Sequence, residues 1–353
     1  MVSKSASDKY PVAVIGAGSF GTAVANLLAE NGPVLFYSRR PEAVESINRD
    51  RVNSGQQIHA NITATNDLSE IAERCYLMFP SVSSDVFRQV MRDLAPFLRP
   101  YHMMIHCTKG FDIKLEAGKS ILDKDVILYP NDIYTMSKVI LDETCVKRVG
   151  CMSGPNLARE IASFHPAATV IASKFDEVIK EGDAAIRSKR LQVFSNHDIY
   201  AVELAGVLKN SMALAAGALG GMGYGQNAMA FLITRGMGEI IRLATAMGAD
   251  KQAFLGLAGI GDLVATCTSP MSRNYTVGAR LAKGETLADI IASSTEVAEG
   301  IKTVSISKKL ADSTGTKTPI IQIIYRVLFE DLPVQQAMNY MMEYRSGYDS
   351  DYL

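Results

Sequence analysis

Chemistry is expected where a residue sits badly among its neighbours, and Lys209 is the clearest case. Lys209 and Asn210 interrupt the apolar helical run that passes from Glu203-Leu204-Ala205-Gly206-Val207-Leu208 into Ser211-Met212-Ala213. An unpaired buried ammonium is costly, so such a lysine needs a carboxylate partner or a task. A solvated lysine on an amphipathic helix is the plain alternative, and the apolar residues on most sides argue against it. Asp262 lies in Gly259-Ile260-Gly261-Asp262-Leu263-Val264-Ala265-Thr266-Cys267. A carboxylate among glycines and apolar residues suits the orientation of a buried lysine. A lysine held in this way can donate a proton or stabilise a developing oxyanion. Close behind, Ser272 reads as the N-cap of a helix that opens with Arg273 and Asn274. Free N–H groups beside an arginine and an amide make a phosphate site. Lys109, in His106-Cys107-Thr108-Lys109-Gly110, follows an apolar strand at its carboxyl end, where open α/β sheets bind ligands.

A second kind of chemistry is written at the start of the chain. Val12-Ala13-Val14-Ile15 runs into Gly16-Ala17-Gly18-Ser19-Phe20-Gly21, a G-x-G-x-x-G turn after a strand and before a helix. Gly16 permits the tight turn, Gly18 admits a pyrophosphate to the backbone, and Gly21 lets helix and strand pack closely. The motif alone is weak, but this context predicts dinucleotide binding. At the end of the second strand an NAD site usually places an acidic residue on the ribose. Here the chain reads Phe36-Tyr37-Ser38-Arg39-Arg40. Arg39 and Arg40 suit a 2′-phosphate, which points to NADPH over NADH.

The elements that must position these groups fall into two halves. Strands are predicted at 12–15, 34–37, 76–79, 103–106, 148–152 and 168–172, alternating with helical stretches, as in parallel βαβ units. After about Asn196 strand signals nearly vanish. Helices are predicted at 203–219, 228–247, 275–281, 297–310, 320–329 and 334–342. The expected architecture is therefore a Rossmann-type parallel-sheet domain over residues 1–196 and an all-α domain over 197–353. The long apolar stretch from Ser211 to Ile233 is broken by glycines and amides, and it reads as two buried helices rather than a membrane span.

Composition narrows the class. The 353 residues carry a formal net charge of −1 and are 48% hydrophobic and 21% charged, as in an ordinary globular protein. No basic field calls for nucleic acid or a membrane surface. The five cysteines form no C-x-x-C pair and do not cluster with the histidines, so neither a metal site nor a disulfide framework is expected. Buried reduced thiols are expected instead. Met1 to Tyr10 has no apolar signal core, and the cytoplasm is the expected location.

With the motifs in place, the chain from about Pro11 to about Ala337 resembles the NAD(P)-dependent glycerol-3-phosphate dehydrogenases of bacterial type. The resemblance rests on an ordered set: the glycine turn, Pro80-Ser81, Thr108-Lys109-Gly110, Ser153-Gly154-Pro155, Leu208-Lys209-Asn210, Leu232-Ile233-Thr234-Arg235-Gly236, Gly261-Asp262-Leu263, Ser272-Arg273-Asn274 and Val297-Ala298-Glu299-Gly300. It implies an all-α domain like the C-terminal domain of 6-phosphogluconate dehydrogenase. It also implies that Lys209 is the active-site lysine, with Asp262 and Lys109 as polar neighbours. Gly154, Asn156, Ser272, Arg273 and Asn274 resemble substrate contacts. Gly16, Gly18, Ser19, Phe20, Gly21, Arg39, Arg40, Lys109, Ala158, Arg273, Val297 and Glu299 resemble cofactor contacts. The implied reaction is reduction of dihydroxyacetone phosphate to sn-glycerol 3-phosphate by NADPH or NADH, in a homodimer that supplies phospholipid synthesis. Asn156 stands where Ser or Thr is more usual, and the stretches 80–85 and 132–147 depart from the family pattern. A β-hydroxyacid-type dehydrogenase and a non-enzymatic dinucleotide sensor are the alternatives; neither accounts for the whole ordered set.

Overall fold

The computed structural model describes residues 10–116, 118–294 and 298–343. The chain divides into two compact units, Met1–Asp112 with Tyr134–Glu203, and Ile113–Ile133 with Leu204–Leu353.

The first unit is built on an eight-stranded sheet. Its strands are β1 (Val12–Ile15), β2 (Val34–Tyr37), β3 (Ile62–Thr65), β4 (Leu77–Pro80), β5 (Met103–His106), β6 (Arg148–Ser153), β7 (Ala167–Ser173) and β8 (Leu191–Asn196). Their order across the sheet is β8-β7-β6-β5-β4-β1-β2-β3. The last six of these follow the doubly wound order of dinucleotide-binding sheets, with a switch point where the order reverses at β1 and β4. Every residue of β1, β4 and β5 is buried, as expected of strands covered on both faces. The predicted strands at 12–15, 34–37 and 103–106 match the observed bounds.

One pair departs from the expected parallel sheet: β6 and β7 run antiparallel, with Gly150 opposite Ser173. Only the five-residue helix Ala158–Ala162 lies between them, and so short a connection returns the chain instead of carrying it across the sheet. The strands β3 and β8 were not anticipated.

The second unit is helical. Its main helices are α2 (Ile199–Gly221), α3 (Gln226–Ala246), α4 (Asp262–Thr268), α5 (Arg273–Ala282), α6 (Glu299–Thr314), α7 (Pro319–Phe329) and α8 (Val334–Glu343), after α1 (Ser19–Ala29) of the first unit. The six helices predicted from the sequence lie within two residues of the observed starts or ends in most cases, and α4 and the helix Leu287–Ser293 are additional. Glycines bring α2 and α5 together backbone to backbone. A Cβ on Gly217 would lie 1.9 Å from the Tyr275 carbonyl, and one on Gly278 would lie 1.9 Å from the Leu214 carbonyl. No other residue fits either position without moving a helix.

Residues 113–133 were expected in the first domain, yet they cluster with the second. Buried Lys309 donates to the carbonyls of Asp123 and Val126, both at 2.7 Å, and Ser305 Oγ donates to the Ile121 carbonyl at 2.9 Å. The expected boundary at 196/197 also shifts, because α2 begins within the first unit and passes to the second after Glu203. By length and composition α2 is the one helix among the described residues able to cross a membrane, but 89% of its apolar window is buried inside the protein. Four of the cysteines are buried as expected, whereas Cys145 is exposed.

Candidate active site

In the first unit the glycine turn has the shape that a dinucleotide needs. Gly16 adopts φ +119°, and a Cβ there would meet Val82 Cγ1 at 2.7 Å. A Cβ on Gly21 would lie 1.9 Å from the Gly16 carbonyl. Gly18 differs, because a Cβ would meet nothing within 4 Å. The backbone there borders open space beside the N-terminus of α1. Gly18 caps α1 without a side-chain bond, so nothing of the protein's own covers that terminus from the cap. These three geometries fit a pyrophosphate. Ser19 is exposed, while Phe20 and Ala158 pack against the sheet core. At the end of β2, Ser38 is buried and Arg39 and Arg40 are exposed. Arg40 serves as the N-cap residue of the helix Pro41–Arg49, with its N–H donating to Ser38 Oγ at 3.3 Å.

Lys109 leaves the carboxyl end of β5, and its Nζ donates to the Gly154 carbonyl at 3.1 Å, just past the end of β6. Two residues predicted separately are thus joined. Gly154 adopts φ +145°, and a Cβ would crowd Thr169 Cα at 3.2 Å. Asn156 turns its amide nitrogen to Thr169 Oγ1 at 2.8 Å and buries its Oδ1. The neighbouring thiol of Cys107 is pushed up to about 12 by burial and is therefore inert at neutral pH.

The second unit holds Lys209 and Asp262 together. Both are buried, at 5% and 3% exposure, and Lys209 Nζ lies 3.3 Å from Asp262 Oδ1. Thr266 completes the arrangement: its Oγ1 accepts from Lys209 Nζ at 2.6 Å and donates to the Asp262 carbonyl at 2.6 Å. Asn210 Oδ1 lies 3.5 Å from the same ammonium. Asp262 opens α4 directly after a π-turn, Leu257–Gly261. A π-turn swings the following residue off the regular helical path, and such turns are frequent at functional sites. In the sequence, Thr266 lies in the same run as Asp262, where a helical threonine carries no signal of its own. The signal that finds it is its spacing, four residues after Asp262 and therefore on one helix face.

Ser272 caps α5 as predicted, its Oγ accepting from the Tyr275 N–H at 3.4 Å. Arg273 is the first helical residue and is exposed; Asn274 is buried, and its Oδ1 accepts from the Gly300 N–H at 2.9 Å. A Cβ on Gly300 would strike both Asn274 Oδ1 and the Asn210 carbonyl. The starts of α5 and α6 therefore pack against α2 one residue from Lys209. Glu299 is the first residue of α6, whereas Val297 lies outside the described residues.

A doubly wound sheet with a glycine cradle, followed by a helical unit holding a buried Lys–Asp–Thr cluster, defines a nicotinamide-dinucleotide oxidoreductase. Residues 11–179 match the N-terminal domain of NAD-dependent glycerol-3-phosphate dehydrogenase, and residues 198–339 match its C-terminal domain. The chain is 38% identical to the glycerol-3-phosphate dehydrogenase [NAD(P)+] of Saccharophagus degradans, over 98% of this chain and 93% of that protein. It is 39% identical to the Geobacter metallireducens protein of the same name, over 94% and 96%. The crystal structure of glycerol-3-phosphate dehydrogenase from Coxiella burnetii superposes with a TM-score of 0.83 at 31% identity, covering 95% of this chain and 99% of that one. The chain belongs to the NAD-dependent glycerol-3-phosphate dehydrogenase family.

Proposed function

We propose that Lys209 is the proton donor in the reduction of dihydroxyacetone phosphate to sn-glycerol 3-phosphate, the reaction of the family. The buried cluster of Lys209, Asp262 and Thr266 carries this reading. A nicotinamide cofactor held by the glycine turn of Gly16, Gly18 and Gly21 would supply the hydride for the ketone carbon. As the ketone oxygen gains negative charge, the Lys209 ammonium stabilises it and gives up a proton. Asp262 keeps the ammonium charged and in place, and the Thr266 hydroxyl fixes its direction. Arg273 and the N-terminus of α5 hold the substrate phosphate, so that its binding orients the carbonyl. Lys109 braces Gly154 beside the ends of β5 and β6, and both contact the bound ligands. Arg39 and Arg40 read a ribose 2′-phosphate, which makes NADPH the preferred cofactor. The protein acts as a homodimer in the cytoplasm and supplies phospholipid synthesis, as the family resemblance implies.

The test is Lys209→Ala. Loss of a proton donor costs about 10²–10⁴-fold in turnover. The variant is expected to lose kcat on that scale while NADPH affinity, read by fluorescence titration, stays within a few-fold. Near-normal kcat in the folded variant overturns the assignment.

A further inference from the structure

Between β2 and β3 the chain makes a small antiparallel hairpin, Val52–Asn53 with Gln56–Gln57. Arg51 at φ +58° and Ser54 at φ +50° flank Asn53, and both hold the left-handed conformation without being glycine. Such residues persist only where their surroundings fix them, and they concentrate at functional sites. The hairpin is fixed to α1 through Asn26. Its Nδ2 donates to the Gln57 carbonyl at 2.9 Å, and its Oδ1 accepts from the His59 N–H at 2.9 Å. Held in this way, the hairpin buries Asn53 to 8% exposure against the glycine turn. Asn53 Nδ2 donates to the Ala17 carbonyl at 3.0 Å and to Thr22 Oγ1 at 2.7 Å. Thr22 Oγ1 donates in turn to the Gly18 carbonyl at 2.8 Å. The amide can sit only one way round, since Oδ1 in place of Nδ2 would set two acceptors face to face.

Two successive carbonyls of the turn are therefore held toward the protein. In a trans peptide the C=O and the following N–H point in opposite directions. The bond from Asn53 to the Ala17 carbonyl thus turns the Gly18 N–H away from the hairpin, and the bond from Thr22 to the Gly18 carbonyl does the same for the Ser19 N–H. Gly18 and Ser19 are both exposed, at the open space that borders the start of α1.

We propose that Asn53 is a positioning residue for the cofactor: through the Ala17 peptide and Thr22 it aims the N–H groups of Gly18 and Ser19 at the pyrophosphate of the dinucleotide. Without its amide those groups remain but lose their fixed direction, and the affinity common to NADH and NADPH falls. This role rests on the glycine turn holding the pyrophosphate and is independent of the one given to Lys209.

Fluorescence titration of the full chain with NADPH and with NADH tests it. Asn53→Leu is expected to raise Kd for both cofactors by about three- to tenfold, the scale of one hydrogen bond. At saturating cofactor its kcat, and its KM for dihydroxyacetone phosphate, should stay within about twofold of the natural protein. Thr22→Val should weaken both cofactors in the same way, and Thr22→Ser, which keeps the hydroxyl, should bind them as the natural protein does. If Asn53→Leu does not fold, the two Thr22 variants decide. A folded Asn53→Leu or Thr22→Val with a lowered Tm and natural cofactor affinity overturns the proposal, because the bonds then only hold the hairpin down. Weakening confined to NADPH also overturns it, since the pyrophosphate is common to both cofactors. Gly18→Ala tests whether the pyrophosphate lies at the turn at all, because a Cβ there meets no protein atom within 4 Å. Weaker binding in Gly18→Ala with natural binding in Asn53→Leu overturns the role of Asn53 alone. Natural binding in both overturns the placement of the pyrophosphate as well.

Discussion

Thr266 is the residue on which the geometry of the lysine depends. It spans Lys209 Nζ and the Asp262 carbonyl, both at 2.6 Å. Thr266→Val keeps the shape and removes the hydroxyl, so the ammonium keeps its charge but loses its aim. The expected result is a fall in kcat of about ten- to a hundredfold, with KM for dihydroxyacetone phosphate little changed and with rescue by Thr266→Ser. A fall in thermal stability with kcat intact would reduce Thr266 to a packing role. The proposed preference for NADPH rests on residues at the end of β2. Arg39→Ala with Arg40→Ala should raise KM for NADPH much more than for NADH. Equal changes would mean that the arginines do not read a phosphate. Much of this was legible in the sequence, because a lysine and an aspartate in apolar runs demand an explanation. Thr266 was less visible, since a threonine in a helix needs none. Asn274 was expected at a phosphate, and its oxygen accepts from the Gly300 N–H, a contact that does not involve the amide nitrogen a phosphate would need.

At the scale of elements, the glycine turn was legible from its glycine spacing between strand and helix, and the central strands and the long helices because each is a continuous or periodic apolar pattern. The two strands missed, β3 and β8, are the edges of the sheet. Ile-Thr-Ala-Thr and Leu-Gln-Val-Phe-Ser-Asn carry the polar residues that belong on edges, and they read as loops. The π-turn before Asp262 has no periodic signature of its own. One helix start also carries a pH dependence. Glu239 of α3 caps α7 while buried to 1% exposure, and desolvation raises its carboxyl from 4.5 to about 7. A raised folded-state value favours the folded form below 4.5, and this stability is lost as pH rises through about 7. The gap from 4.5 to about 7, at about 1.36 kcal/mol per pH unit, is worth about 3 kcal/mol at most. Denaturant unfolding at pH 5 and pH 8 should show that loss in the natural protein and a much smaller one in Glu239→Gln. Parallel slopes in the two proteins would place the charge elsewhere.

For the whole molecule, the separation of sheet from helices was written in the strand signals that cease near Asn196. The excursion of residues 113–133 into the helical unit was not. No local pattern announces it, because the tie is made by a lysine more than 180 positions away along the chain. Lys309 is 7% exposed and directs its ammonium to two backbone carbonyls, with Ser305 Oγ holding a third. Desolvation draws its proton affinity below the ordinary lysine value, so these bonds are what keep the charge tolerable. Lys309→Met keeps the apolar stem and strips the carbonyls of Asp123 and Val126 of their donor. A fully buried acceptor left unpaired costs about 1–3 kcal/mol, and these two, being partly buried, cost less. The loss should concentrate in 113–133, since the rest of the unit is held by its own helices. Hydrogen exchange is therefore expected to rise in that segment far more than in α2 or α6, and proteases should cut there first. Lys309 lies outside the proposed proton-donor cluster, so kcat of the intact variant should stay within a few-fold of the natural protein. Uniform loss of protection across the second unit would instead show that Lys309 supports its core as a whole, and that 113–133 is held by other contacts.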